Sequence, residues 1–165
     1  MPEGFPSGLP VFADWLRHRG YDHCYVWNKL YRASLWRERR FPVGQVFEDT
    51  AVMPDVLCAC RTVFYSAKGC YHYMCRQGSI SRTWHYADCR QLFVNQQALY
   101  ARGSALPRMR QALRPLRRSM LCRLIDMRRC ADCDTADHRR LLASMTPLER
   151  LQCRIKLLTL KSFPS

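Results

Sequence analysis

The chain has 165 residues, 48% hydrophobic and 12% aromatic, which suits about one domain with a buried core and excludes a disordered chain. It carries 27 Lys+Arg against 13 Asp+Glu, a net charge of +14, so an anionic partner is expected: acidic lipid headgroups, nucleic acid or a phosphorylated substrate. No run of about eighteen apolar residues marks a membrane span, and the opening Met1-Pro2-Glu3-Gly4-Phe5-Pro6 lacks the basic and apolar regions of a secretory signal. A cytoplasmic protein is therefore expected, with peripheral attachment at the inner face of the cell membrane as a companion expectation.

In chain order, residues 1–10 hold three prolines and two glycines and form a loop. The apolar spacing of Val11, Phe12, Trp15 and Leu16 predicts a helix to Arg19, with Gly20 as its stop. Tyr25-Val26-Trp27 reads as a short buried strand or an extended entry, with Trp27, Leu30 and Tyr31 expected in the core. A short helix is predicted over 33–39. The segment 41–47 is a loop broken by Pro42 and Gly44, and a helix begins at Glu48-Asp49-Thr50 and runs to about residue 60 with Pro54 early in it. Residues 61–66 and 70–75 are predicted strands, from Val63, Phe64, Tyr65, Tyr71 and Tyr73. The rest reads as helical: 85–101 ending at Gly103, 107–130, one from Asp134, and one to residue 161 with Thr146 as N-cap, Pro147 at N1 and Glu149 completing a capping box.

The charge is uneven. Residues 1–100 carry 12 Lys+Arg against 8 Asp+Glu, and residues 101–165 carry 15 against 5, so the halves hold +4 and +10. Only 4 of the 27 basic residues are lysine, a bias that genome composition alone can produce. Within 105–130, Leu113, Leu116, Met120, Leu124 and Ile125 share a face, and Arg108, Arg110, Arg114, Arg117, Arg118 and Arg123 fill much of the remainder. Such a helix can lie on an anionic membrane surface, or pack on the domain with a solvated basic face. Nucleic acid is the less favoured partner, because no helix-turn-helix, RNA-recognition or zinc-finger pattern is present.

The ten cysteines are expected to be reduced thiols. Cys130-Ala131-Asp132-Cys133 with Cys122 and His138 offers zinc-type ligands, but one Cys-x-x-Cys without a second pair does not specify a site. No metal ligand is assigned in this chain.

Three blocks carry the chemistry: Val26-Trp27-Asn28-Lys29-Leu30-Tyr31-Arg32, then Phe41-Pro42-Val43-Gly44-Gln45-Val46-Phe47-Glu48-Asp49-Thr50, then Tyr71-His72-Tyr73-Met74-Cys75-Arg76-Gln77-Gly78-Ser79-Ile80. In this order and spacing they resemble the acceptor-side half of a glycosyltransferase family 2 enzyme of the GT-A type. The resemblance covers less than half the chain. It implies an α/β (α+β) fragment, an incomplete GT-A-like fold with a few strands and mostly helices. The division would be 1–83, a partial catalytic domain, and 84–165, a basic helical segment.

It also implies inverting transfer of a sugar from a nucleotide-sugar donor to a glycan or lipid-linked acceptor, in cell-envelope polysaccharide synthesis. Asp49 would be the base that takes the acceptor hydroxyl proton, with Glu48 positioning it; helix-end amides would favour the ionised form. Asn28, Lys29 and His72 would line the site. Arg76 and Ser79 would lie on a loop over the nucleotide diphosphate, with Arg76 against leaving-group charge. The plainer reading makes Glu48 and Asp49 a helix cap, Lys29 and Arg76 surface charges and His72 a packed histidine.

Enzymes of that family have an N-terminal half with an Asp-x-Asp motif holding Mg²⁺ or Mn²⁺ on the diphosphate, and this chain has no counterpart of it. Asp132-Cys133-Asp134 follows the acidic pair where the family's motif precedes it. A separate N-terminal half would have to supply the donor site. The rival reading is a non-catalytic basic module that binds anionic membrane or nucleic acid.

Overall fold

The computed structural model describes residues 9–64, 68, 71, 72, 74, 85–106 and 108–160. Apolar spacing decides the first helix. α1, Leu9–Arg17, turns Phe12 and Leu16 inward, where both are fully buried. The helix ends at Arg17, short of the expected Arg19. Arg19 takes the left-handed conformation at φ 57°, and a 3-10 turn follows over Gly20–His23. Gly20 is needed there for space, since a Cβ would fall 2.0 Å from Cδ1 of Trp15. Trp15 then meets Tyr21 edge to face at 6.2 Å.

A second 3-10 turn, Ala33–Trp36, precedes α2, Glu48–Ala59, which buries Val52, Met53, Pro54, Val56 and Leu57. Pro54 lies inside α2, and Pro115 lies inside α4. The scaffold is the antiparallel hairpin of α3, Tyr86–Ser104, and α4, Arg110–Arg129. Its pairing can be followed along the hairpin. Gly103 admits Leu113, the Arg117 guanidinium lies 4.9 Å from the Tyr100 ring centre, and Gln96 donates to the Ser119 hydroxyl at 3.0 Å. Two apolar clusters grow on this hairpin. Phe12, Leu16, Met53 and Leu57 of α1 and α2 pack on Leu99, Ala112, Leu113 and Leu116. At the other end, Phe93, Met120, Leu124 and Met127 pack with Met145 and Cys153.

α5, Thr135–Ala143, and α6, Pro147–Thr159, complete the chain. Asp134 caps α5, accepting from the amides of Ala136 and Asp137. The capping box of α6 forms as its sequence predicts: the Thr146 hydroxyl accepts from the Glu149 amide, and Glu149 accepts from the Thr146 amide at 2.9 Å. Glu149 also takes a two-pronged bond from Arg117 at 2.7 and 2.8 Å, pinning α6 to α4.

The expected α/β architecture is overturned: the described residues form six α-helices and two 3-10 turns, with no strand and no sheet. Of the predicted strand 61–66, residues 61–64 are irregular, with Val63 59% and Phe64 95% exposed. Strand-favouring residues do not make a strand without a neighbouring ladder to pair with and an apolar surface to cover. Of 70–75, only Tyr71, His72 and Met74 are described, none of them in a strand. Tyr25-Val26-Trp27 is likewise irregular, and Leu30, expected in the core, is fully exposed.

Candidate active site at the start of α2

The carboxylates stand where a curled loop meets a helix. Gly44 at φ 73° and Phe47 at φ 56° are both left-handed, and the second is a bulky residue in a conformation that side chains of its kind rarely adopt. This bend sets Glu48 and Asp49 in the first turn of α2, where unpaired helix amides favour negative charge. An Asp49 carboxylate oxygen accepts from the Thr50 amide at 2.7 Å. Glu48 has no hydrogen-bond partner among the described residues, and its charge adds to that of Asp49. Burial raises the Asp49 carboxyl above its ordinary range; the Thr50 amide opposes that shift, Glu48 adds to it, and Lys29 opposes it.

Asn95 of α3 holds the bend in place. It is 9% exposed, and its amide donates to the Phe47 carbonyl at 3.0 Å and to the Thr50 hydroxyl at 2.8 Å. That hydroxyl donates in turn to the Phe47 carbonyl at 2.7 Å. Gln91, one turn earlier on α3, donates to the Asn95 side-chain oxygen at 3.0 Å. Sequence reasoning passed over Asn95 and Gln91. Their signal was an asparagine in mid-helix, a poor helix former there, one turn from another amide.

Lys29 approaches from the preceding loop. Its ammonium donates to the carbonyls of His23 at 3.1 Å and Tyr25 at 2.5 Å and to the Asn28 side-chain oxygen at 2.7 Å. Burial draws its pKa below the usual lysine range, while Cys24 and Asp49 counter this. Lys29 and Asn28 thus act as a pair, with Lys29 in the electrostatic field of Asp49. Beside them Trp27 stacks between Tyr25 at 5.3 Å and Tyr71 at 4.4 Å. Trp27, expected in the core, is 39% exposed, and both tyrosines are exposed too. His72 follows Tyr71 and is exposed. Arg76 and Ser79 lie outside the described residues.

Glu48 and Asp49 thus open α2, Lys29 with its partner Asn28 lies within electrostatic range of Asp49, and the Tyr25–Trp27–Tyr71 stack starts from the same loop as Lys29. A partly buried carboxylate of raised pKa can accept a proton from a hydroxyl. The outer ring of such a stack can cover the C–H face of a sugar.

The metal-type ligands have other work. Asp132 accepts from the Tyr86 amide at the start of α3 at 3.1 Å, and Asp134 caps α5. The buried His138 ring has Nε2 3.0 Å from the Leu124 carbonyl. Among the described residues no group of three or more His, Cys, Asp or Glu converges to hold a metal. No described helix is long and apolar enough to cross a membrane.

Over 59 residues, the chain is 40% identical to Glycosyltransferase GlyA of Streptococcus pneumoniae serotype 4 (strain ATCC BAA-334 / TIGR4). Those residues are 36% of this chain and 8% of that protein. No protein-family profile and no solved structure matches the chain.

Proposed function

We propose that the chain is the acceptor side of a family 2 type, inverting glycosyltransferase. It moves a sugar from a nucleotide-sugar donor to a glycan or lipid-linked hydroxyl in cell-envelope polysaccharide synthesis. The observation that carries this is the partly buried Asp49 at the head of α2, beside Glu48 and within electrostatic range of Lys29. The stretch of identity to a glycosyltransferase supports it.

In this reading the Asp49 carboxylate takes the proton of the acceptor hydroxyl. The freed oxygen bonds to the anomeric carbon from the face opposite the nucleotide, and the carbon–oxygen bond to the nucleotide diphosphate breaks, releasing the diphosphate as an anion. Burial makes Asp49 a stronger base than an exposed aspartate, and Glu48 keeps its proton affinity up. An outer tyrosine of the Tyr25–Trp27–Tyr71 stack seats the acceptor ring. The nucleotide-sugar site and any Mg²⁺ or Mn²⁺ on its diphosphate belong to another polypeptide segment, such as a separate N-terminal half, and no step here is routed through a metal.

The test is Asp49→Asn in the chain complemented with a nucleotide-binding half. Turnover should fall by about 10²–10⁴-fold, the usual contribution of a positioned base, with donor binding unchanged. Full turnover by Asp49→Asn would sink the assignment.

A second reading is favoured by one observation. Arg110, Arg114 and Arg118 line the exposed side of α4 and have no ion-pair partner among the described residues. A non-catalytic module that binds polyanions would bind through them, with strong salt dependence and no response to nucleotide sugars.

A further inference from the structure

The apolar face of α4 is not available to a membrane: Leu113, Leu116, Met120 and Leu124 are at most 3% exposed in the core. α6 differs. Leu148, Leu151, Ile155 and Leu158 recur at 3-4-3 spacing on one face and are 65%, 53%, 54% and 87% exposed. The opposite face of α6 is already engaged. Cys153 is fully buried, Leu157 packs against the second cluster, and Glu149 holds Arg117. The stripe is thus the face of α6 that the described residues leave uncovered.

At 100° per residue, Arg150 and Arg154 border the stripe on one side and Lys156 lies beyond its other edge. Arg154 and Lys156 are exposed. The sole acidic residue of α6 is Glu149, and it faces inward in its ion pair. The outward surface thus carries four large apolar side chains, three cations and no anion. A second copy would set +14 against +14 and cation rows against cation rows. An anionic surface neutralises the same charges. The helix has 13 residues, about 20 Å at 1.5 Å per residue, too short to cross a bilayer core of about 30 Å but suited to lying along its surface.

We propose that α6 docks the chain on an anionic lipid surface. Leu148, Leu151, Ile155 and Leu158 enter the acyl boundary, while Arg150, Arg154 and Lys156 meet headgroup phosphates. This assignment does not rest on the transferase reading.

The test is sedimentation of the purified chain with vesicles of phosphatidylcholine alone or mixed with phosphatidylglycerol. Binding should require the anionic lipid and weaken with added salt. Leu151→Gln with Leu158→Gln, and separately Arg154→Gln with Lys156→Gln, should each lower the partition coefficient by about tenfold or more. Thermal unfolding of the free variants should be unchanged, because these positions face solvent. Equal binding to both vesicles, or wild-type binding by either variant, would overturn the proposal. So would a dimer in solution that the leucine substitutions dissolve, which would assign the stripe to a second copy.

Discussion

Asn95→Ala tests how the acidic pair is held. The substitution removes the two hydrogen bonds that the nearly buried Asn95 donates, at 3.0 and 2.8 Å, and frees the half-buried Gln91 amide, which loses its Asn95 acceptor, to turn to solvent. The Phe47 carbonyl keeps its bonds from the Thr50 amide and hydroxyl, so it is not orphaned. At about 1 kcal/mol net per bond the loss is about 2 kcal/mol. For a chain of this size that lowers Tm by about 4–8 °C. The assay is urea unfolding followed by circular dichroism, together with the titration of the Asp49 carboxyl by carbon-detected NMR. With the α2 start loosened, the Asp49 titration should move down toward its ordinary range. Asn95→Asp is the sharper variant. Ionised, it sets a carboxylate against the Phe47 carbonyl and destabilises more than alanine. Protonated, its hydroxyl can donate again, so the defect should shrink on acidification. A loss below about 0.5 kcal/mol from Asn95→Ala, with Asp49 titrating as before, would refute the bracing role, since that is the scatter of neutral surface changes.

Two predictions concern pH. Burial alone would raise the Glu149 carboxyl, but the bonds from Arg117 and Thr146 outweigh it and hold it below the ordinary range. Its contribution is therefore present above its unfolded pKa and is lost as pH falls through the lower folded value. Glu149→Gln should cost about 2 kcal/mol at pH 7 in chemical denaturation, and the gap to wild type should narrow as pH falls below 4.5 toward the lower folded value. Burial lowers the His138 pKa from 6.5, so the native state binds fewer protons there than the unfolded chain. Stability from this site is full above pH 6.5 and declines as pH falls toward the lower folded value. A pH series of melts should show that decline, and His138→Gln should flatten it.

Much of the helical half was legible because its signals are local. Thr146, Pro147 and Glu149 specify the start of α6 within four residues, and the apolar stripe of α4 identifies its buried side. The start of α2 at Glu48 was readable from the loop before it. The strands failed because Val63, Phe64 and Tyr71 declare a preference, and preference needs a partner chain that propensity cannot supply. Gly103 marks the end of α3 to within one residue, and it also serves close approach to Leu113. At the candidate site, the carboxylates and the Lys29–Asn28 pair were visible as residues. Their brace was not, because Asn95 reaches Thr50 across 45 positions and nothing local marks that contact.

The α3–α4 hairpin closes over a short connection, whereas the bend at Phe47 reaches it only across a long interval. Contacts between near neighbours form early, and those that must close long loops form late. The helical scaffold can thus be largely assembled before the acidic pair is seated. Mild destabilisation should reverse the order, releasing the head of α2 while most helix content persists. Competence at Asp49 is then a property of the last contacts to form, and helix content alone is a poor measure of it.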